Sequence, residues 1–215
     1  MSTSTGLRPP RFGLVTVAAS AGGLQALRAL LGRLPEEFGA PMVVAQHRAP
    51  GAHGYLDRVL GAATRLRVHE ARDGDVPRPG HVHVGPADQH VRVAADGVLR
   101  MDGGPRVNFA RPSADPLFAS VAAAYGARAL GVVLTGRGRD GAAGAAEIRR
   151  RGGLVLAQDP ATCEAPSMPQ AVLSGCGADF VLPLDKLADA LVSLVMAPAV
   201  STALFGLPVL ADLAF

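Results

Sequence analysis

The sequence has no tryptophan, and aromatic residues of all kinds make up only 4 % of it. A core must therefore be built from Ala, Gly, Leu and Val, which suits helices packed closely on a buried sheet. Binding of single-stranded nucleic acid, which relies on aromatic stacking over a basic groove, finds no support. Lysine is nearly absent: Lys186 is the sole one, and the other cations are scattered arginines. A formal net charge of +3 spread in this way reads as solvated surface, so no nucleic-acid partner is expected. The two cysteines, Cys163 and Cys176, form no C-x-x-C pair and belong to no wider framework. Two reduced thiols in a cytoplasmic protein are the expectation. No long apolar run occurs either. Met1–Pro10 lacks the apolar segment of a signal peptide, and the apolar stretch Leu187–Phe215 is interrupted by Asp189, Pro198, Pro208 and Asp212. Membrane insertion is not expected.

What is present is a chain of 215 residues, 49 % apolar and 18 % charged, which suits one folded domain with a substantial core. The reading divides it into a flexible N-terminal tail (1–11), a domain (12–197) and an apolar C-terminal tail (198–215). Apolar runs at 12–18, 42–45, 65–70, 129–134, 154–158 and 179–182 read as strands. They alternate with helical patterns at 22–34, 54–63, 113–125, 141–151, 168–174 and 184–196. His81–Val84 alternates as a strand does, and Val91–Val93 and Val98–Met101 flank Asp96-Gly97 as a hairpin would. The fold class is thus α/β: a doubly wound, mostly parallel sheet with helices on both faces and one β-hairpin.

One segment imitates a dinucleotide-binding fingerprint. Gly136, Gly138 and Gly141 form G-x-G-x-x-G between an apolar run and a helix, and Asp159 stands where a ribose-binding acid would. An NAD-binding oxidoreductase domain is therefore one reading. The motif is weak by itself, falls after several α/β units, and is crowded by Arg137, Arg139 and Asp140.

In doubly wound sheets, ligands bind beyond the carboxyl ends of the strands, so reactive residues just after strands carry most information. Three stand there. Ser20, in Ala18-Ala-Ser-Ala-Gly-Gly23, follows the first strand and precedes a helix, where amides can hold an oxyanion or the serine can simply cap the helix. His47 follows the second strand and offers a base near neutral pH. Asp140 precedes a helix, as an N-cap or as the carboxylate that orients a histidine. Among the other histidines, His81 and His83 share a strand face, but no third ligand is evident and no metal site is expected. His53, His69 and His90 read as surface or loop residues.

These blocks, with Gln46-His47 before Pro50-Gly51 and Thr135-Gly-Arg-Gly-Arg-Asp-Gly141, closely resemble the catalytic domain of the chemotaxis-receptor methylesterase family, CheB. So do Pro79–Pro86 with Asp88 and His90, Arg111-Pro-Ser-Ala-Asp115, and Ala157-Gln158 leading to Met168-Pro169. The likeness runs from about Gly13 to about residue 196. It implies a serine hydrolase with Ser20 as nucleophile, His47 as base and acid, and Asp140 as orienting carboxylate. Oxyanion and substrate contacts would come from the turn Ala21, Gly22 and Gly23 and from Gly136 and Arg137. No metal or organic cofactor is implied. The implied substrates are γ-glutamyl methyl esters of methyl-accepting chemoreceptors, with deamidation of glutamine as a further activity. Three departures stand out. Only residues 1–11 precede the first strand, where the family usually carries a receiver domain and linker, so a standalone form answering to a separate receiver or kinase partner is expected. Ala21 replaces the family's threonine, and Arg137 and Arg139 replace its methionine and asparagine. A catalytically idle signalling adaptor is the remaining alternative.

Overall fold

Strand β1 (Leu14–Ala19) is buried along its whole length, because it lies in the middle of a seven-stranded sheet. The computed structural model describes residues 12–49, 51 and 55–196. The expected tails at 1–11 and 198–215, and His53, lie outside the described residues. The elements continue as α1 (Gly23–Leu31), β2 (Met42–Gln46), α2 (Leu56–Gly61), β3 (Arg67–Glu70), β4 (His81–Val84), β5 (His90–Val93) and β6 (Leu99–Asp102). Then come α3 (Ala114–Tyr125), β7 (Ala129–Val133), α4 (Ala142–Arg150), β8 (Leu154–Gln158), α5 (Ser167–Ser174), β9 (Phe180–Leu182) and α6 (Leu184–Met196).

The main sheet runs β3-β4-β2-β1-β7-β8-β9 and every neighbouring pair is parallel. Strands β5 and β6 form the separate antiparallel hairpin. Side-chain alternation along β1 splits the core in two. Val15, Val17 and Ala19 join Leu27, Leu30, Leu60 and Leu191 under α1, α2 and α6. Leu14 and Ala18 join Phe118, Val121, Ile148, Met168 and Leu99 under α3, α4, α5 and the hairpin. The sheet is therefore doubly wound, as the sequence pattern predicts.

Strand order carries the functional consequence. From β1 the chain moves outward to β2, and it later returns to β1's other side with β7. The loops after β1 and β7 thus diverge around the switch point, where this class of sheet leaves a crevice. Ser20, His47 and Asp140 follow β1, β2 and β7, three adjacent strands.

Candidate active site

Ser20 leaves β1 in a tight turn. Its N–H donates to Thr135 O (3.0 Å), while its carbonyl accepts from Gly23 N (2.9 Å) and from Gln46 Nε2 (2.9 Å). Gly22, not Ser20, is the N-cap of α1, so helix capping does not account for this serine. Thr135 holds the next residue by donating through Oγ1 to Ala21 O (3.0 Å). The close packing also needs Gly136: a methyl there would overlap Met168 Sδ and stand 2.8 Å from Ser20 Cβ.

His47 continues the β1–β2 ladder. Its N–H donates to Ala19 O (3.0 Å), and extending the pairing of Ala19 with Gln46 by one residue sets Ser20 opposite His47. Adjacent strands are about 4.8 Å apart, which fixes the spacing of the two backbones. Among the described residues no hydrogen bond joins Ser20 Oγ to the imidazole. Contacts of this type commonly tighten only around bound substrate. The ring's Nε2 lies 2.6 Å from Asp140 Oδ2. If Nε2–H donates there, Nδ1 keeps the lone pair.

Asp140 is 1 % exposed and does not cap α4, whose N-cap is the left-handed Gly141 (φ 88°). The N-cap alternative thus gives way to a longer-range arrangement. Beside His47, Oδ2 accepts from Ala114 N (2.6 Å), and Oδ1 accepts from Ser113 Oγ (2.6 Å), Asn108 Nδ2 (3.0 Å) and Asp115 N (3.2 Å). The carboxylate closes the N-terminus of α3, a place that favours negative charge. Burial pushes its pKa up, but the hydrogen bonds from His47, Ser113 and Ala114 outweigh it and hold the carboxyl at about 2. Asp140 is ionised at neutral pH.

Two supporting residues escape sequence reading. Asn108 occupies the left-handed region (φ 52°) and donates through one Nδ2 to both Asp140 and Asp115. His90, expected at the surface, is 1 % exposed. Its Nδ1 accepts from Ser113 N (3.1 Å), so Nε2 donates to Pro105 O (3.0 Å) and the ring positions Ser113 beneath Asp140. Packing of the hairpin against α3 buries it, and no local pattern announces that.

The proposed amide donors divide. Gly23 N is bonded to Ser20 O, and Gly136 N to Ala165 O (2.8 Å), so neither is open to an oxyanion. The N–H groups of Ala21, Gly22 and Arg137 have no partner among the described residues. The same bonds remove the dinucleotide reading. Gly138 N donates to Ser167 Oγ (3.2 Å), and Asp159 accepts from Ala161 N (2.9 Å) as the cap of a short 3-10 turn. Both glycine amides are thus already hydrogen-bonded within the protein. The Arg137 and Arg139 side chains are exposed, and Leu24, Gln46, His47, Arg48, Tyr55 and Leu56 line an open cavity beside His47.

Cys163 and Cys176 are free and partly exposed. Burial, then the charge of Asp159, pushes the Cys163 thiol up to about 11, so it remains protonated at neutral pH. At the β3–β4 edge, the neighbours of His83 are not the expected His81 but His69, brought by parallel pairing, and Asp75, brought by the following turn.

Residues 15–191 match the model of the CheB methylesterase family. The chain belongs to that family. A protein-glutamate methylesterase/protein-glutamine glutaminase of Anaeromyxobacter dehalogenans is 49 % identical over 184 residues, covering 85 % of this chain and 54 % of the relative. The chain spans about half the length of the leading curated relatives it matches. A protein of Leptospira interrogans, putatively assigned the same activities, is 36 % identical, with 84 % of this chain and 93 % of that protein covered. The crystal structure of the Thermotoga maritima CheB methylesterase catalytic domain superposes with a TM-score of 0.82 at 36 % identity, covering 86 % of this chain and 99 % of that one. The doubly wound sheet and its hairpin are thus those of the family's catalytic domain. Ser20, His47 and Asp140 all lie inside the matched stretch. Among the described residues no helix is long and apolar enough to cross a membrane.

Proposed function

We propose that this chain is a cytoplasmic protein-glutamate methylesterase that removes γ-glutamyl methyl esters from methyl-accepting chemoreceptors, and deamidates glutamine at such sites. The observation that carries the reading is the 2.6 Å contact between His47 Nε2 and the buried Asp140 carboxylate, at the strand ends beside Ser20. Family membership supports the choice of ester.

Ser20 Oγ attacks the ester carbonyl as His47 Nδ1 takes its proton. Asp140, ionised and held by α3, fixes the Nε2–H tautomer and stabilises the imidazolium. The N–H groups of Ala21, Gly22 and Arg137 are the donors for the developing oxyanion. Collapse expels methanol, which receives the proton from His47. Water, deprotonated by the same ring, cleaves the acyl-enzyme to glutamate and free Ser20. With glutamine the leaving group is ammonia. None of these steps calls on a metal or organic cofactor. Arg137 and Arg139 favour an acidic receptor surface around the ester.

A fluorophosphonate probe tests the nucleophile. Labelling of the wild type that disappears in Ser20→Ala is expected, together with methanol release from methylated receptor that stops in the same variant. A wild type that resists a small probe and releases no methanol supports the idle adaptor instead.

A further inference from the structure

At the sheet edge, the parallel register of β3 and β4 sets His69 opposite His83. The rings meet edge to face, with centroids 4.2 Å apart, and His69 Nε2 lies 3.0 Å from His83 Nδ1. The turn after β3 returns Asp75 to this pair, its Oδ2 3.5 Å from His83 Nδ1. One ligand atom from each of the three residues lies within 4.8 Å of the other two.

The carboxylate is placed by backbone bonds. Gly74 N donates to Leu99 O (2.9 Å), Leu99 N to Asp75 O (2.8 Å), and Arg72 N to Asp75 Oδ2 (2.9 Å). Ligating carboxylates are characteristically held by such secondary hydrogen bonds. His81 packs edge-on against His69, with centroids 5.5 Å apart, and restricts that ring.

A hydrogen-bonded trio is the plainer account, but it leaves acceptors in excess. His83 Nδ1 faces both His69 Nε2 and Asp75 Oδ2, and a single proton can serve only one of these two contacts, so lone pairs face each other across the other. Tetrahedral zinc, with bonds of about 2.0–2.1 Å, separates its ligand atoms by roughly 3.3–3.4 Å. The separations of 3.0 and 3.5 Å lie on either side of that spacing. Mixed imidazole and carboxylate donors suit zinc and its neighbours, not magnesium or calcium.

We propose that His69, His83 and Asp75 form a binding site for a divalent transition-metal ion of the zinc type, with the fourth position open to solvent. The ion would clip together β3, β4 and the turn bonded to β6. This site is separate from Ser20, His47 and Asp140, and the proposal does not depend on the esterase reading.

The test uses the full chain, free of tags and stripped by chelator, titrated with Zn²⁺ by calorimetry and with Co²⁺ by visible absorption. Saturable uptake of one ion per chain is expected, with Co²⁺ bands of tetrahedral nitrogen–oxygen coordination. His69→Ala and Asp75→Asn, each checked for wild-type circular dichroism, should weaken binding by at least about tenfold. His47→Ala, which removes the other buried histidine–carboxylate pair, should leave affinity and stoichiometry unchanged. No saturable uptake up to millimolar Zn²⁺, undiminished binding in either edge variant, or loss of binding in His47→Ala would each overturn the proposal.

Discussion

Asp140 releases its proton near pH 2 in the folded protein, against about 3.9 for an unfolded aspartate. A depressed folded pKa means that the unfolded state binds protons more readily as pH falls. The stabilisation is therefore full above about pH 4 and disappears as pH drops through about 2, a change of about 2 kcal/mol for so buried a group. Asp140→Asn should be less stable than wild type at pH 6, and the gap in urea-unfolding free energy should narrow between pH 4 and 2. A gap that stays constant over that range refutes the assignment. The same substitution should lower esterase kcat by roughly 10³–10⁴-fold, since the amide can present the wrong partner to His47. The proposed triad of Ser20, His47 and Asp140 can be read from the sequence because each residue follows a strand inside a distinctive block. Asn108 and His90 are not, because their value comes from a left-handed turn and from burial under the hairpin. His69 and His83 are likewise misread one at a time: they become neighbours only through parallel pairing.

Helix α3 and its N-cap Ser113 supply three of the five donors to Asp140, so the position of the helix matters as much as any side chain of the proposed triad. It rests on α4 through Gly144, where an added methyl would overlap Phe118 Cβ and stand 3.1 Å from Asp115 O. Gly144 N also donates to Asp115 Oδ1 (2.7 Å). Gly144→Ala should destabilise the fold by about 1–3 kcal/mol through overpacking, seen as a lower thermal midpoint. It should also lower kcat, because displacement of α3 moves Ala114 N and Ser113 away from Asp140. Unchanged stability would mean that the helices separate without cost. The elements themselves are plain in the apolar periodicity, with boundaries shifted by up to three residues, as at the end of α1. The short turn capped by Asp159 is not, and there the apparent fingerprint mimics cofactor binding although its acid serves a local turn.

Two cores share one sheet, so each face depends on the other through β1 and its neighbours. Leu30 belongs to one and Phe118 to the other, and both are fully buried. Leu30→Ala should cost about 2–5 kcal/mol and Phe118→Ala about 3–5 kcal/mol. In a double variant the two losses should add within about 0.5 kcal/mol, since the side chains lie on opposite faces. Chemical denaturation should remain a single transition, and two resolved transitions would show that the faces unfold separately. Doubly wound architecture is readable from recurrent β-then-α order. The placement of β4 inside β3, between β3 and β2, is not, because strand order depends on crossovers that leave no local pattern.

His47 turns Nε2 toward Asp140, and this orientation sets a reach. The remaining nitrogen, Nδ1, is the one nearer the ring's own backbone, so any proton it collects must originate close to the main chain of β2. A nucleophile across a wide cleft would be too remote, whereas one on the next strand is in range. In the proposed mechanism the proton from Ser20 would cross a single interstrand gap, with the sheet's hydrogen bonds as the ruler for the transfer.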